Sequence, residues 1–271
     1  MTTKQHREIY NKNLLHPWGD LSELGNDESS SVIVKGKGIH IFDSDGNKMI
    51  DGPAGMWCMQ TGYGRKEIAD AVSKQILSLS YATSFTLIND KETELAKRIS
   101  EQTPGDLNRI YFTTGGSTAV DSALRLCQLA NNIKGASNKK QIITREKAYH
   151  GSTYLSASVT GKERDKTAMD VKREGIHFLK APCHFYYPEF DNEDDFCDFL
   201  INELEEKIIE IGPENIMAFI AEPILASGGV IVPPKNYNYR CWEVVKRYNI
   251  IYIADELSLI HISEPTRPIH I

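Results

Sequence analysis

The sequence has little that would tie it to a membrane, a disulfide framework or a nucleic acid. No stretch approaches the 18 or more apolar residues that a membrane-spanning helix needs. The opening residues, Met1 to Tyr10, contain no apolar run of the kind that marks a secretory signal. The five cysteines, at 58, 127, 183, 197 and 241, are odd in number and widely spaced, with no C-x-x-C pair, so neither a disulfide scaffold nor a zinc site is indicated. Among 271 residues, 31 Lys and Arg stand against 37 Asp and Glu. The resulting charge of −6 gives no electrostatic footprint for DNA or RNA, and no nucleic-acid partner is expected. Cytoplasm is the default compartment. No internal repeat or low-complexity tract is present, and an apolar content of 41% suits an ordinary globular fold.

What is present falls into two patterns. Short apolar runs at Val32–Val34, Ile39–Phe42 and Lys48–Ile50, separated by Gly-rich and Asp/Asn-rich turns, predict a small antiparallel meander. Asp43, Asp45 and Asn47 are also spaced like the start of a calcium loop. That loop requires Gly at its sixth position and Glu at its twelfth, where this chain has Lys48 and Ala54, so a hairpin turn is the preferred reading and no metal site is expected. From Gly52 onward, strands alternate with helices. Helices are predicted at Lys66–Leu79, Lys91–Glu101, Thr118–Ala130, Asp195–Ile211 and Asn238–Tyr248. Strands are predicted at Arg109–Thr113, Gln141–Thr144, Ile176–Leu179, Ile216–Ala221 and Ile250–Ala254. Continuous apolar strands between helices imply an α/β fold with a mostly parallel sheet and helices on both faces.

Three features sit where predicted strands end, the place where open α/β sheets bind ligands. The first is Thr113-Thr114-Gly115-Gly116-Ser117-Thr118, which leads from a strand into a helix. Its glycines permit close backbone approach, Ser117 or Thr118 could cap the helix, and the helix start offers free N–H groups to an anion. The second is Tyr149-His150-Gly151, where an aromatic ring could wall a flat ligand. The third is the pair Glu222 and Asp255, each immediately after an apolar strand and separated by one helix. An acid so placed needs a cationic or hydrogen-bonding partner to remain ionised. Together the three suit a flat aromatic ring that carries a phosphate at one end and a basic nitrogen at the other. Pyridoxal phosphate has that shape. A serine-hydrolase reading, with Ser117 as nucleophile, remains the alternative, although Ala119 stands where G-x-S-x-G requires its last glycine. A non-catalytic fragment is the other alternative.

These motifs, together with Asp51-Gly52-Pro53-Ala54-Gly55-Met56-Trp57-Cys58, Gly62-Tyr63-Gly64-Arg65-Lys66, Gly228 to Pro234 and Ile253-Ala254-Asp255-Glu256, make the chain resemble a class III aminotransferase of the omega-amino-acid or amine–pyruvate type. The resemblance implies a fold-type-I pyridoxal-phosphate transferase and a homodimer. It also implies an amine donor with a keto-acid acceptor, in the first place pyruvate. By the same resemblance Gly115, Gly116 and Ser117 hold the phosphate, Tyr149 stacks on the ring with His150 beside it, Asp255 pairs with the ring nitrogen, and Glu222 supports the site from beneath. Trp18, Trp57 and Phe85 would line the substrate pocket. The expected organisation is a small-domain segment at 1–51, a cofactor-binding domain at 52–256 and a segment without family counterpart at 257–271, which reads like a translated artefact. The family's Schiff-base lysine lies downstream of the Asp255 motif, and the last lysine here is Lys246. The chain is therefore expected to be a fragment that lacks that lysine and does not turn over.

Overall fold

The computed structural model describes residues 1–15, 30–167 and 169–261. The elements, in chain order, are α1 (Thr3–Asn13), β1 (Ile33–Lys37), β2 (His40–Asp43), β3 (Lys48–Ile50), α2 (Ala54–Trp57), α3 (Lys66–Ser78), α4 (Asp90–Ser100), α5 (Gly116–Ile133), β4 (Gln141–Arg145), α6 (Tyr154–Val159), β5 (Ile176–Leu179), α7 (Glu193–Ile211), β6 (Ile216–Ala221), α8 (Tyr237–Arg247) and β7 (Ile251–Ala254). They divide into two compact units, Met1–Asn108 and Arg109–Ile271. Among the described residues no helix is long and apolar enough to cross a membrane.

The first unit carries the predicted meander, an antiparallel sheet in the order β1-β2-β3. Its β2–β3 turn uses up the carboxylate that the calcium reading invoked. Asp43 Oδ1 accepts the N–H groups of Asp45 (3.0 Å) and Asn47 (2.8 Å), and Oδ2 accepts the Asn47 side-chain amide at 2.8 Å. Those bonds, the Asn47 amide foremost, hold Asp43 below the usual carboxylate range. Helix α1 starts with a capping box between Thr2 and Gln5. Helix α2 is a single left-handed turn in which Ala54, Gly55, Met56 and Trp57 all have positive φ.

The second unit is a four-stranded, fully parallel sheet in the order β5-β4-β6-β7. Residues alternate between its faces. Ile143, Phe219 and Ala221 pack with Phe196, Leu200, Leu204, Cys241 and Val245 of α7 and α8. Ile142, Ala218 and Ile220 pack with Val120 and Leu124 of α5 and Val159 of α6. The sheet is thus covered on both sides, which is why β6 is buried at every position. Gln141 pairs with Ile216 and Ile142 with Ala218, so Met217 is the extra residue of a bulge, and Met217 and Ala218 join the same cluster. Sequence periodicity had marked Val120, Leu124 and Cys127 as one helix face and Cys241, Val245 and Tyr248 as another; in both, the first two are buried and the third is partly buried against the same cluster.

The strand predicted at Arg109–Thr113 does not form. Residues 109–113 belong to no ladder, and Tyr111 is 68% exposed. An apolar run becomes a strand only where a neighbour supplies the other half of the hydrogen bonds, and among the described residues none pairs with this one.

Candidate functional site

Every element that carries a predicted site residue in the second unit opens at the same rim, the carboxyl ends of the parallel strands. Helix α5 begins there with Gly115 at its N-cap, and no side chain caps it. This corrects the expectation that Ser117 or Thr118 would cap: the helix starts at Gly116, so both residues already lie in its first turn. The Thr118 hydroxyl donates back to Gly115 O at 2.7 Å, and Ser117 Oγ accepts the Ser152 N–H at 3.0 Å. The leading N–H groups of an 18-residue helix thus face outward without a side-chain cap, an arrangement suited to an anion. A Cβ placed on Gly115 would meet nothing within 4 Å. A Cβ on Gly116 would meet the tip of the Leu257 side chain.

Beyond β4 the chain turns through Tyr149, His150 and Gly151. The turn is fixed from three sides. Glu222 Oε1 accepts the Tyr149 N–H at 2.9 Å, Thr160 Oγ1 accepts the His150 N–H at 2.9 Å, and Ser117 Oγ and Ser156 Oγ crowd Gly151. A Cβ on Gly151 would lie 2.4 Å from Ser117 Oγ, and its φ of +129° is one that L side chains rarely adopt. Tyr149 Oη and Ser152 Oγ share a hydrogen bond at 2.9 Å. Asp121 of α5 accepts the Ser156 N–H at 2.7 Å, which ties the anion-binding helix to α6.

The two strand-end acids have different surroundings. Glu222, after β6, is buried; its carboxylate takes the N–H groups of Tyr149 and, at 3.3 Å, Ala226. Burial pushes its pKa up, and the Tyr149 hydrogen bond opposes this. Asp255, after β7, lies 2.8 Å through Oδ2 from Nδ1 of His150, a ring fully shielded from solvent, while Oδ1 accepts the Leu257 N–H at 3.3 Å. The opposite ring nitrogen, His150 Nε2, is buried without a hydrogen-bond partner.

The structure therefore brings Ser117, next to Gly115 and Gly116 in the chain, into contact with the Tyr149–Gly151 turn through Ser152 and Gly151, and that turn into contact with Glu222 and Asp255. Trp57 and Phe85 lie in the first unit, Trp57 in the left-handed turn α2 and Phe85 in an exposed loop. Trp18 lies outside the described residues. Three residues that the sequence reading passed over also shape the rim. Arg145, fully buried at the end of β4, donates to the Glu222 carbonyl and sits 5.7 Å from the Tyr237 ring. Thr160 holds His150, and Lys162 places its ammonium 5.6 Å from the Tyr149 ring centroid. The one sequence signal for Arg145 was its position, a cation directly after an apolar strand that ends near the site. The hydrolase alternative finds no support: Ser117 Oγ accepts the Ser152 backbone N–H, and among the described residues no hydrogen bond joins it to an imidazole that could serve as its base.

Comparison with known proteins gives a consistent match. The family model "Aminotransferase class-III" matches residues 22–258. The putrescine–pyruvate aminotransferase of Pseudomonas aeruginosa is 37% identical over 258 residues, covering 94% of this chain and 56% of that protein. The mitochondrial gamma-aminobutyrate transaminase 1 of Oryza sativa subsp. indica is 38% identical over 230 residues, or 83% of this chain and 44% of that one. Among solved structures, a thermostable (S)-enantioselective omega-transaminase from Thermomicrobium roseum superimposes with a TM-score of 0.90 at 32% identity, over 94% of this chain and 57% of that one. The chain spans about half the length of the curated relatives it matches.

Proposed function

Because the chain belongs to the class III aminotransferases, a pyridoxal-phosphate family, we propose that it supplies the cofactor-gripping half of an enzyme that moves an amino group from an amine or omega-amino acid to a keto acid, with pyruvate as acceptor. The observation that carries this reading is the convergence, at one sheet rim, of an uncapped helix start at Gly115–Ser117, the Tyr149 ring and the Asp255 carboxylate. The residues present fit the cofactor. The open space over Gly115 admits a phosphate that a Cβ would exclude, and the outward N–H groups of α5 supply its donors. Bound there, pyridoxal phosphate would supply an electron sink for the carbanion left when the amine loses a proton.

The chain's own residues have separable roles. Ser117 and the α5 N-terminus hold the anionic end. Tyr149 covers one ring face, and its backbone is fixed by Glu222. Asp255 would offer a carboxylate oxygen to the ring nitrogen, and His150, hydrogen-bonded through Nδ1 to that carboxylate, fixes its orientation. The assignment of Trp18, Trp57 and Phe85 to the substrate rests on the family resemblance alone. On the same reading residues 52–256 belong to the cofactor-binding domain, residues 1–51 to a small second domain, and the active unit is a homodimer. The relative that acts on pyruvate supports the acceptor assignment.

We propose further that the lysine used by the family for covalent attachment is not among Met1–Ile271, since no lysine follows Lys246. Treatment of the chain with pyridoxal phosphate, borohydride reduction and peptide mass spectrometry test this. The expected result is no stoichiometric label on any single lysine. Full labelling of one lysine, with alanine formed from pyruvate and an amine, would overturn the assignment of the lysine.

A further inference from the structure

Helix α6 has only six residues, and its N-cap residue Thr153 makes no side-chain capping bond. A helix this short is marginal on its own, so contacts with the rest of the chain must fix it. At its start, Asp121 Oδ1 of α5 accepts the N–H of Ser156, a buried residue in the first turn of α6, at 2.7 Å. Along its length, Val159 packs with Val120 and Leu124 of α5. At its end, the Val159 carbonyl accepts the Thr144 hydroxyl of β4 at 2.9 Å, and Thr160 Oγ1 accepts the His150 N–H. Helix α6 is thus a strut between α5 and the turn that carries Tyr149 and His150.

Asp121 stands four residues after Ser117, so the two share one face of α5. That face addresses a single stretch of chain. Ser117 Oγ accepts the Ser152 N–H, Ser117 O accepts the Thr153 hydroxyl at 3.4 Å, and Asp121 takes the Ser156 N–H. The two residues differ in what they can hold. A hydroxyl rotates and has one proton to give, and at Ser117 it belongs to the helix start that faces an anion. The Asp121 carboxylate lies one turn further into the helix. Its bond to Ser156 is charge-assisted and about twice as strong as a neutral one. A ligand with an anion at one end and a flat ring at the other is held at two places. Its affinity depends on how well their separation is set before it arrives.

We propose that Asp121 is a positioning residue: by holding the first turn of α6 from α5, it sets the separation between the anion cradle at Gly115–Ser117 and the turn that carries Tyr149 and His150. The proposal rests on the proposed function for the identity of the ligand that spans the two. Asp121 acts through Ser156 and touches no ligand. Loss of its oxygen leaves the start of α5 in place, so an anion that fills the cradle alone keeps its affinity. A molecule that spans cradle and ring platform loses affinity.

The test uses the isotope-labelled 271-residue chain, titrated separately with pyridoxal phosphate and with inorganic phosphate and followed at the Gly115–Ser117 amides by NMR. Asp121→Ala is expected to weaken pyridoxal-phosphate binding about tenfold, the low end of what a hydrogen bond to a charged group contributes, and to leave phosphate binding unchanged. Asp121→Ser, which also gives up the carboxylate but leaves a hydroxyl for water, carries the same expectation and decides the matter if the alanine variant does not fold. Asp121→Asn keeps a side-chain oxygen in place and is expected to restore the parent affinity. Alanine and serine variants that bind the cofactor like the parent would overturn the proposal. So would a parallel loss of cofactor and phosphate, the mark of a general structural defect, or an asparagine variant as weak as the alanine one. Pyridoxal phosphate that leaves the parent's Gly115–Ser117 amides unmoved is a different result: it overturns the cofactor reading itself, and the role of Asp121 with it.

Discussion

His150 Nδ1 and Asp255 Oδ2 stand 2.8 Å apart, one at the turn after β4 and the other directly after β7, although 105 residues separate them in the chain. The bond fixes both partners. With the Asp255 carboxylate as its acceptor, the imidazole keeps a proton on Nδ1, while Nε2 is buried without a hydrogen-bond partner. Asp255→Asn removes the charge that holds this proton. Nitrogen-15 spectra of the imidazole should show the Nδ1–H form in the parent chain and a loss of that preference in the variant, together with weaker pyridoxal-phosphate binding. An unchanged tautomer and unchanged affinity would deny Asp255 an electronic role.

Gly115 and Gly151 make opposite predictions. Gly115 is extended and has nothing within 4 Å of a Cβ, so Gly115→Ala should change folding stability by no more than about 0.5 kcal/mol while it fills the anion cradle and weakens pyridoxal-phosphate binding. Gly151→Ala forces a side chain into positive φ against Ser117 and should cost about 1–3 kcal/mol by overpacking and strain. Urea unfolding and a cofactor titration on both variants check the pair.

Glu222 should leave a pH signature. Its pKa in the folded chain is raised above the usual 4.5 by burial, so the folded state binds its proton more tightly than the unfolded state does. The associated stability is fully present below pH 4.5 and is lost as pH rises through the folded value. Relative to Glu222→Gln, the parent chain should therefore lose stability across that window, as measured by denaturant unfolding at a series of pH values. Glu222→Ala should cost about 1–3 kcal/mol at any pH, because it strands the N–H groups of Tyr149 and Ala226.

The core under the site should respond as a packed interior. Phe196, fully buried, stacks with His184 and Tyr187 at centroid distances of 5.3 and 5.2 Å. Phe196→Ala should destabilise the chain by about 3–5 kcal/mol. A thermal melt with the parent as reference measures it.

Much of this architecture is legible in the residues themselves. β3, β5 and β6 have the predicted bounds because each is a short apolar run closed by turn residues or an acid, and α7 is marked by Asn192, whose side chain accepts the Asp195 N–H at 2.9 Å. The rim residues were legible as well, since glycine pairs and acids that follow apolar strands are local signals. The failures are non-local. Nothing in Arg109–Thr113 tells whether a neighbouring strand will pair with it, and nothing around Lys162 announces that a loop 65 residues later brings Ser227 to its ammonium. The left-handed turn at Met56 was invisible for a similar reason: only Gly55 within it favours positive φ, and the surrounding structure imposes the rest.

The central claim is that Gly115–Ser117, Tyr149 and Asp255 grip one molecule of pyridoxal phosphate. Titration of the labelled chain with that compound, followed at the amides of Gly115, Gly116, Ser117 and Tyr149 and competed with inorganic phosphate, tests it most directly. The account predicts that these signals move together with one dissociation constant, and that phosphate reverses the shifts at Gly115–Ser117. Cofactor that perturbs only scattered lysines, with the Gly115–Ser117 amides unmoved, would contradict it.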